Sequence, residues 1–117
     1  MKQNNRKIGE QYESAVAYYL EQSGYEILEK NYRCKVGEID LVAKDGIYLV
    51  FCEVKFRRSK VRGNPLEAVG KRKQQTLIKC AQWYLAEHKL QDIPCRFDVV
   101  GISEKQIYLL KNAFMMY

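Results

Sequence analysis

The sequence predicts one α/β domain spanning residues 1–117, with a mixed central sheet flanked by helices. Two segments carry apolar residues at helical spacing, and short apolar runs separated by turn residues lie between and after them. The run around Val50 is apolar on both of its alternating faces, so both faces of its sheet must be covered. A chain of 117 residues is long enough for one compact core and too short for two.

The first element is an amphipathic helix over residues 8–23. Its apolar residues recur at the three-and-four spacing that gives a helix one buried face. Gly24 is expected to end this helix, because glycine readily adopts the left-handed conformation of a helix cap. A short first strand follows over residues 25–33 and is predicted to end near the turn-like Asn31-Tyr32 stretch.

A hairpin supplies the next two strands. Residues 38–44 predict the second strand and residues 47–56 the third, with the two-residue turn signal Asp45-Gly46 between them. The two strands are therefore predicted to be antiparallel neighbours. Residues 57–63, which follow, are basic and poor in structure-forming residues, so we expect an exposed loop there.

A second helix is predicted to begin at Asn64. Asn64 is a favourable cap, Pro65 suits the first helical position, and Glu67 lies where the acid of a capping box reaches back. Apolar residues then continue at helical spacing, with Gly70 interrupting the pattern before the main segment. The helix is expected to end near His88.

Two more strands complete the predicted fold. Residues 97–102 form one, and residues 106–110 form the other after a polar turn. The predicted order is α-β-β-β-α-β-β, and no repeat or linker interrupts it.

The composition is that of an ordinary folded protein with an excess of positive charge. Apolar residues make up 47% and charged residues 29%, which excludes disordered and collagen-like chains. The chain has neither a run of roughly 18 apolar residues that would span a bilayer nor a secretory leader, so we expect a cytoplasmic protein without a membrane partner. Its formal charge of +6 favours an anionic partner such as nucleic acid, although such charge also serves solubility alone.

Cysteine usage gives little support to a zinc site. The four cysteines are widely spaced without a CxxC pair, and the chain has one histidine. Cys52 and Cys80 lie among apolar neighbours and are expected to be small buried thiols in a reducing compartment.

The third strand carries an acid and a base within its apolar run. Alternation places Glu53 and Lys55 on one face, together with Leu49 and Phe51. A bare charge inside a sheet is costly, so buried Glu53 and Lys55 need each other, a metal ion, or water at a cleft. The alternative is that both lie at a solvated end of the strand.

Acidic residues on the second strand point to the same region. Glu38 and Asp40 share a face, and the hairpin brings their strand alongside Glu53. Converging carboxylates suit Mg²⁺ or Mn²⁺, hard ions that keep several waters and bridge to a substrate phosphate. Such an ion lowers the pKa of a bound water and offsets charge on the phosphate oxygens, and Lys55 would help to orient the water or the phosphate.

The order of these residues resembles a nuclease signature. A GEID run at 37–40, a short hairpin, an apolar strand and an EVK run at 53–55 follow one another as in the PD-(D/E)XK nucleases. The resemblance implies a restriction-endonuclease-like fold with an αβββαβ core. Ile39 stands where the signature has proline, a difference that removes no ligand.

A wider set of positions, covering nearly the whole chain, resembles the YraN family. Members of that family are similar to archaeal Holliday-junction resolvases in fold and active-site pattern. The positions that carry the resemblance are Gly9, Glu13, Gly24, Asn31, the runs 37–40, 51–57 and 65–69, Lys73, and Arg96-Phe97-Asp98.

The resemblance implies a role for each residue of the candidate site. Asp40 and Glu53 would be metal ligands, Lys55 the catalytic lysine, and Glu13 a carboxylate contributed by the first helix. Glu38 would be a supporting acid near the metal. Without the resemblance, Glu13 is more readily interpreted as a charge on a helix surface.

Basic residues close to the site are candidates for contacts with nucleic acid. Contacts to phosphates position a backbone without reading its sequence. The alternative for such a charge, on a loop or a helix, is that it is only solvated. Arg96 is expected to form a structural pair with Asp98 rather than to contact nucleic acid. The candidate nucleic-acid-binding residues are Arg57, Arg58, Lys60, Arg62 and Lys73.

The function predicted from the sequence is metal-dependent hydrolysis of phosphodiester bonds. The expected substrate is DNA, branched or otherwise structured, in preference to RNA, and the analogy with resolvases allows a homodimer. The alternative is a nucleic-acid-binding module whose nuclease-like site is inactive or depends on a partner. A structural adaptor without a nucleic-acid role ranks last.

Overall fold

The structure is a computed structural model that describes residues 5–56, 69–103 and 106–116. Within these residues the elements follow the predicted order α-β-β-β-α-β-β. They are helix α1 (Asn5–Gln22), strands β1 (Glu26–Cys34), β2 (Gly37–Asp45) and β3 (Tyr48–Phe56), helix α2 (Lys71–Glu87), and strands β4 (Cys95–Ile102) and β5 (Ile107–Phe114).

The five strands of the described chain form one mixed sheet in the order β1-β2-β3-β4-β5. Strands β3 and β4 are parallel and are connected through α2, whereas the other neighbouring pairs are antiparallel. The predicted mixed sheet with flanking helices is therefore confirmed. A parallel pair needs a crossover of this kind, because a tight turn can join only antiparallel strands.

The predicted hairpin between β2 and β3 is confirmed, with its loop shifted by one residue. Asp45 pairs with Tyr48 and remains in the ladder, so the two loop residues are Gly46 and Ile47. Gly46 has a φ of +61° at the first loop position, where two-residue hairpins favour glycine.

The end of α1 follows the predicted glycine cap. Gly24 has a φ of +98°. The amide of Tyr25 donates to the carbonyl of Leu20 at 2.9 Å, and the amide of Gly24 donates to the carbonyl of Glu21 at 3.1 Å. These two hydrogen bonds form a Schellman motif, which turns the chain directly into β1.

The start of α2 was only partly predictable. Within the described residues the helix begins at Lys71 with Gly70 as its N-cap, and it ends at Glu87 with His88 as its C-cap. The break at Gly70 and the end near His88 were predicted. The expected start signals at residues 64–67 lie outside the described residues.

Strands β1 and β5 continue past the C-terminal ends predicted for them. Strand β1 was expected to end near Asn31 but continues to Cys34. Asn31 has a φ of +55°, and pairing with β2 resumes at the next residue, Tyr32. Strand β5 was expected to end near Leu110 but reaches Phe114, whose ring stacks on Phe97 at 4.7 Å between centroids. Both extensions depend on tertiary contacts that local residue patterns do not reveal.

Two apolar clusters cover the sheet, one on each face. Phe51, Leu77 and Cys80 belong to the cluster under α2, whereas Val50 and Cys52 belong to the cluster under α1. The alternation around Val50 therefore packs both faces, as predicted. Cys52 and Cys80 are free thiols with no solvent exposure, which confirms the expectation of buried cysteines.

Among the described helices, none combines the length and the apolar character that a membrane crossing requires.

Candidate active site

The candidate site forms where the β2–β3 ladder ends. The paired residues run from Asp45 and Tyr48 to Leu41 and Cys52, and Asp40 is the next residue along β2. Its Oδ2 atom accepts a hydrogen bond of 2.8 Å from the amide of Val54. A side chain thus takes the place of a main-chain acceptor, and the Asp40 carboxylate is held at the junction of the two strands.

Glu53 is a buried acid on β3, with 4% of its surface exposed. Lys73 of α2 places its Nζ 3.3 Å from Glu53 Oε2, and the Nζ of Lys55 lies 3.8 Å from the same oxygen. Burial raises the pKa of Glu53 to about 8, and a hydrogen bond with Asp40 and the charge of Asp40 add to this. The charges of Lys73 and Lys55 lower the pKa of Glu53. Burial and Asp40 therefore disfavour the charged form of Glu53, and the two lysines favour it.

Glu13 reaches the same aspartate from α1. Burial raises the pKa of Glu13 to about 7, followed by the charge of Asp40, a hydrogen bond with Asp40 and a smaller effect of Glu38. A hydrogen bond with Asn31 lowers the pKa of Glu13. With its amide nitrogen facing the carboxylate, Asn31 donates to Glu13 Oε2 and Oε1 at 2.9 and 3.2 Å. Asp40 therefore interacts with both Glu13 and Glu53 and raises the pKa of each.

A cavity of about 270 Å³ opens at Asp40 on the α1 side of the sheet. The rings of Tyr12 and Phe56 stack at 4.2 Å between centroids in its wall, and Arg33 Nε forms an ion pair of 3.0 Å with Glu38 Oε2. The carboxylates of Glu13, Glu38 and Asp40 therefore border a space large enough for a small polar group, whereas Glu53 and Lys55 are not among the residues that line it. The cavity is lined by Gly9, Glu10, Tyr12, Glu13, Asn31, Arg33, Glu38, Asp40, Val54 and Phe56.

The structure brings most of the predicted site residues together. Asp40, Glu53 and Lys55 form a connected group, and Glu13 joins it through Asp40. Glu38 lines the cavity with Asp40, but its carboxylate pairs with Arg33 on the Glu13 side of the site.

The predicted nucleic-acid contacts stay predictions. Lys73 was considered either a solvated charge or a phosphate contact, and it contacts Glu53. The other four candidates, Arg57, Arg58, Lys60 and Arg62, lie outside the described residues.

Several residues around the site were not singled out as site residues from the sequence. Asn31, Arg33, Tyr12 and Phe56 border the cavity although no motif-based role was assigned to them. For Asn31 one local signal was available. Asparagine tolerates positive φ, so it suits a position where the pairing of a strand is interrupted. The predicted pairing of Arg96 with Asp98 is confirmed, at 2.9 Å.

The acids around Asp40 offer oxygen donors, the ligand type that hard divalent cations prefer. Within residues 5–56, 69–103 and 106–116, no three His, Cys, Asp or Glu side chains are arranged to hold a metal ion. Mg²⁺, however, is commonly bound through one or two carboxylates, with waters and substrate phosphates completing its shell. Asp40 and Glu53 are two carboxylates, and a cation beside them would offset the charge of Asp40 that helps to raise the pKa of Glu53.

Comparisons with known proteins identify the family. The model of an uncharacterised protein family, UPF0102, matches residues 12–102. A UPF0102 protein of Lachnoclostridium phytofermentans is 46% identical over 115 residues, covering 97% of this chain and 98% of that protein. Another, of Syntrophus aciditrophicus, is 49% identical over 120 residues, covering 97% of this chain and 92% of that protein. The chain therefore belongs to the UPF0102 family, which is the YraN family that its sequence resembles.

Proposed function

We propose that this protein is a divalent-metal-dependent nuclease that hydrolyses phosphodiester bonds of DNA, with branched or otherwise structured DNA as its substrate. The observation that supports this is the position of the Asp40 carboxylate, which lies close enough to Glu13 and Glu53 to raise the pKa of both acids. We propose also that the mixed α/β fold is that of the PD-(D/E)XK nucleases.

The first role of the site is to hold a cation. Asp40 and Glu53 would bind Mg²⁺ or Mn²⁺, which supplies a water of lowered pKa and offsets charge on the phosphate. Asp40 is already oriented by the amide of Val54, so its carboxylate loses little freedom on binding. Glu53 must release its proton first, and Lys55 and Lys73 favour this because both lower its pKa.

The two lysines have a second role toward the substrate. Each ammonium group is partly exposed while it contacts the buried Glu53 carboxylate. Once a cation shares that carboxylate, the lysine donors can turn to the non-bridging oxygens of a phosphate. Lys55 lies on the rigid strand beside the acids, so it would orient the attacked phosphate, whereas Lys73 would bind from the α2 side.

Glu13 is suited to moving a proton. Its pKa of about 7 means that both of its protonation states are populated near neutral pH. A group of this kind can take a proton from the attacking water or give one to the leaving oxygen. With its amide nitrogen facing Glu13, Asn31 donates to both oxygens of this carboxylate.

The anionic partner is supported by charge. The chain carries a formal excess of +6, and four of its basic residues follow directly on β3, the strand that carries Glu53 and Lys55. The preference for DNA over RNA, and a homodimer that would present two sites to two strands, rest on the resemblance to resolvases.

A cleavage screen tests the proposal. Purified protein is incubated with single-stranded, duplex, flap and four-way DNA in Mg²⁺ or Mn²⁺. We expect metal-dependent cleavage of at least one substrate, and a loss of at least ~100-fold in Asp40→Asn and Glu53→Gln. Glu21→Gln, which removes an exposed acid of α1, is the matched control and should cleave normally.

Two results would count against the proposal. Cleavage retained by a pure, folded Glu53→Gln preparation would show that the activity does not come from this site. Salt-dependent DNA binding without cleavage of any substrate would favour the alternative, a binding module whose site is inactive or depends on a partner.

A further inference from the structure

We propose that Cys34 and Cys80 form an oxidisable thiol pair, which converts to an intramolecular disulfide by exchange with a small disulfide such as glutathione disulfide. Both are free thiols, and their Sγ atoms lie 3.5 Å apart. Cys34 is the last residue of β1, and Cys80 lies within α2. A disulfide bond of about 2.05 Å requires the two atoms to approach by only about 1.5 Å.

The surroundings of the pair leave room for this bond. Gly37 is the pairing partner of Cys34 across the β1–β2 hairpin. A Cβ atom on Gly37 would lie 3.4 Å from Cys80 Sγ and 2.9 Å from Cγ2 of Thr76. The absence of a side chain at Gly37 therefore lets the hairpin approach α2 closely and keeps the space around the Cys80 sulfur free.

The two thiols differ in access, which sets the order of the reaction. Cys34 is half-buried, whereas Cys80 has no solvent exposure. A glutathione disulfide molecule can therefore reach Cys34, and Cys80 can be reached only from within the protein. Cys34 is the entry thiol and Cys80 the resolving thiol.

The exchange balances in two steps. The Cys34 thiolate attacks one sulfur of glutathione disulfide, forming a mixed disulfide and releasing one glutathione thiolate. Cys80 loses its proton to solvent, its sulfur attacks Cys34 Sγ, and the second glutathione leaves as a thiolate. The two released thiolates take up the two protons that Cys34 and Cys80 gave to solvent. Two protein thiols are oxidised to one disulfide, and one glutathione disulfide is reduced to two glutathione thiols.

In the second step the proximity of the two sulfurs outweighs the burial of Cys80. Burial raises the pKa of Cys80 to about 12, and the neighbouring Cys34 adds to the rise, so its thiolate is scarce at neutral pH. The 3.5 Å separation opposes this, because two groups held together react as if at very high concentration. The mixed disulfide is therefore a short-lived intermediate.

The other two cysteines provide internal controls. Cys52 belongs to the cluster under α1, on the opposite face of the sheet from α2. Cys95 is half-buried like Cys34, but its Sγ donates to the carbonyl of Ile93 at 3.5 Å. Accessibility alone therefore predicts reaction at Cys34 and Cys95 alike, whereas proximity predicts a cross-link between Cys34 and Cys80.

Thiol counting and peptide mapping test the pair. The reduced full chain is incubated with glutathione disulfide at neutral pH, then unfolded in urea so that buried thiols react, alkylated, and analysed by intact mass. We expect alkylatable thiols to fall from four to two, with a loss of two hydrogens and a linked peptide joining Cys34 to Cys80. Cys95→Ser should fall from three to one, whereas Cys34→Ser and Cys80→Ser should form no cross-link.

Three results would overturn the proposal: four thiols that survive the oxidant, a glutathione adduct that persists on Cys34, or a cross-link that involves Cys52 or Cys95. A melting curve checks that each variant is folded. Should Cys80→Ser fail to fold, the wild-type map and Cys34→Ser still decide the outcome. Cys34 is half-buried at a strand end, where serine is tolerated more readily than in the core.

Discussion

Lys73 Nζ lies 3.3 Å from Glu53 Oε2, closer than Lys55 Nζ at 3.8 Å. A residue of α2 thus stabilises the charge of an acid that is buried in β3. Side-chain exposure is 41% for Lys73 and 5% for Glu53, so the cation is hydrated on one side and contacts the acid on the other. The protonation of Glu53 therefore depends on the position of α2 against the sheet.

Removing the ammonium group at position 73 tests this dependence. Because Lys73 lowers the pKa of Glu53, Lys73→Met should raise that pKa above about 8, by about half a unit for a partly screened ion pair. The measurement is a carboxyl carbon-13 NMR titration. Lys79→Met, at an exposed position of the same helix, is the control. An unchanged Glu53 titration in Lys73→Met would show that the contact is absent in solution.

A second buried network should carry much of the stability. Arg96 donates to Asp45 Oδ2 at 2.8 Å and to Asp98 Oδ1 at 2.9 Å, and the Tyr25 hydroxyl donates to Asp98 Oδ2 at 2.8 Å. Arg96→Met leaves the fully buried Asp98 carboxylate without its cation, so we expect a loss of about 3–5 kcal/mol in the free energy of unfolding. Urea denaturation measures it.

A surface ion pair provides the control for that measurement. The side chains of Arg33 and Glu38 are 63% and 43% exposed, so Arg33→Met should cost under about 1 kcal/mol. Equal losses in the Arg33 and Arg96 variants would contradict the assignment of Arg96 to a buried network.

The sequence predicted those parts of the site that depend on one element at a time. Alternation along β3 placed Glu53 and Lys55 on one face, and they do form an ion pair. Turn chemistry predicted the hairpin that brings β2 beside β3 and the glycine cap that ends α1.

The remaining features depend on contacts between elements. The hydrogen bond from the Val54 amide to Asp40 exists because the two strands stop pairing at Leu41, which residue spacing does not encode. The contact between Lys73 and Glu53 depends on how α2 crosses the sheet. Local patterns can identify such residues as candidates, but they cannot state which of them meet.

Asn31 should affect the stability of the fold through its backbone conformation and the pKa of Glu13 through its side chain. Its φ of +55° suits glycine better than alanine, so Asn31→Ala should be less stable than Asn31→Gly by about 1 kcal/mol. Both variants lose the hydrogen bonds to Glu13 and should raise its pKa above about 7, as measured by NMR titration. Lys89, with a φ of +53° near the end of α2, is the control. Lys89→Gly should relieve backbone strain without moving the Glu13 titration, and a shift there would contradict a local role for Asn31.

The raised acid pKa values predict how stability varies with pH. Glu53 and Glu13 titrate near 8 and 7, above their ordinary value of 4.5, so the folded protein keeps protons that the unfolded chain releases. Their contribution to the free energy of unfolding should fall as pH rises from about 5 to 8, by the order of a few kcal/mol for Glu53. Urea denaturation at stepped pH measures the slope. Glu53→Gln should flatten it, whereas stability that rises over this range in the wild type, with no flattening in the variant, would refute the burial of an ionisable acid.

Divalent cations should reverse that loss of stability. A cation and a proton compete for the carboxylates of Asp40 and Glu53, so Mg²⁺ or Mn²⁺ should bind more tightly as pH rises and should release protons on binding. We expect Mn²⁺ to raise the melting temperature clearly at pH 8 and little at pH 5, because ligands that bind only the folded state stabilise it in proportion to their occupancy. Asp40→Asn should abolish the effect, and Glu21→Gln should retain it. A Mn²⁺ effect of equal size at both pH values, or one that survives Asp40→Asn, would place the cation elsewhere on the protein.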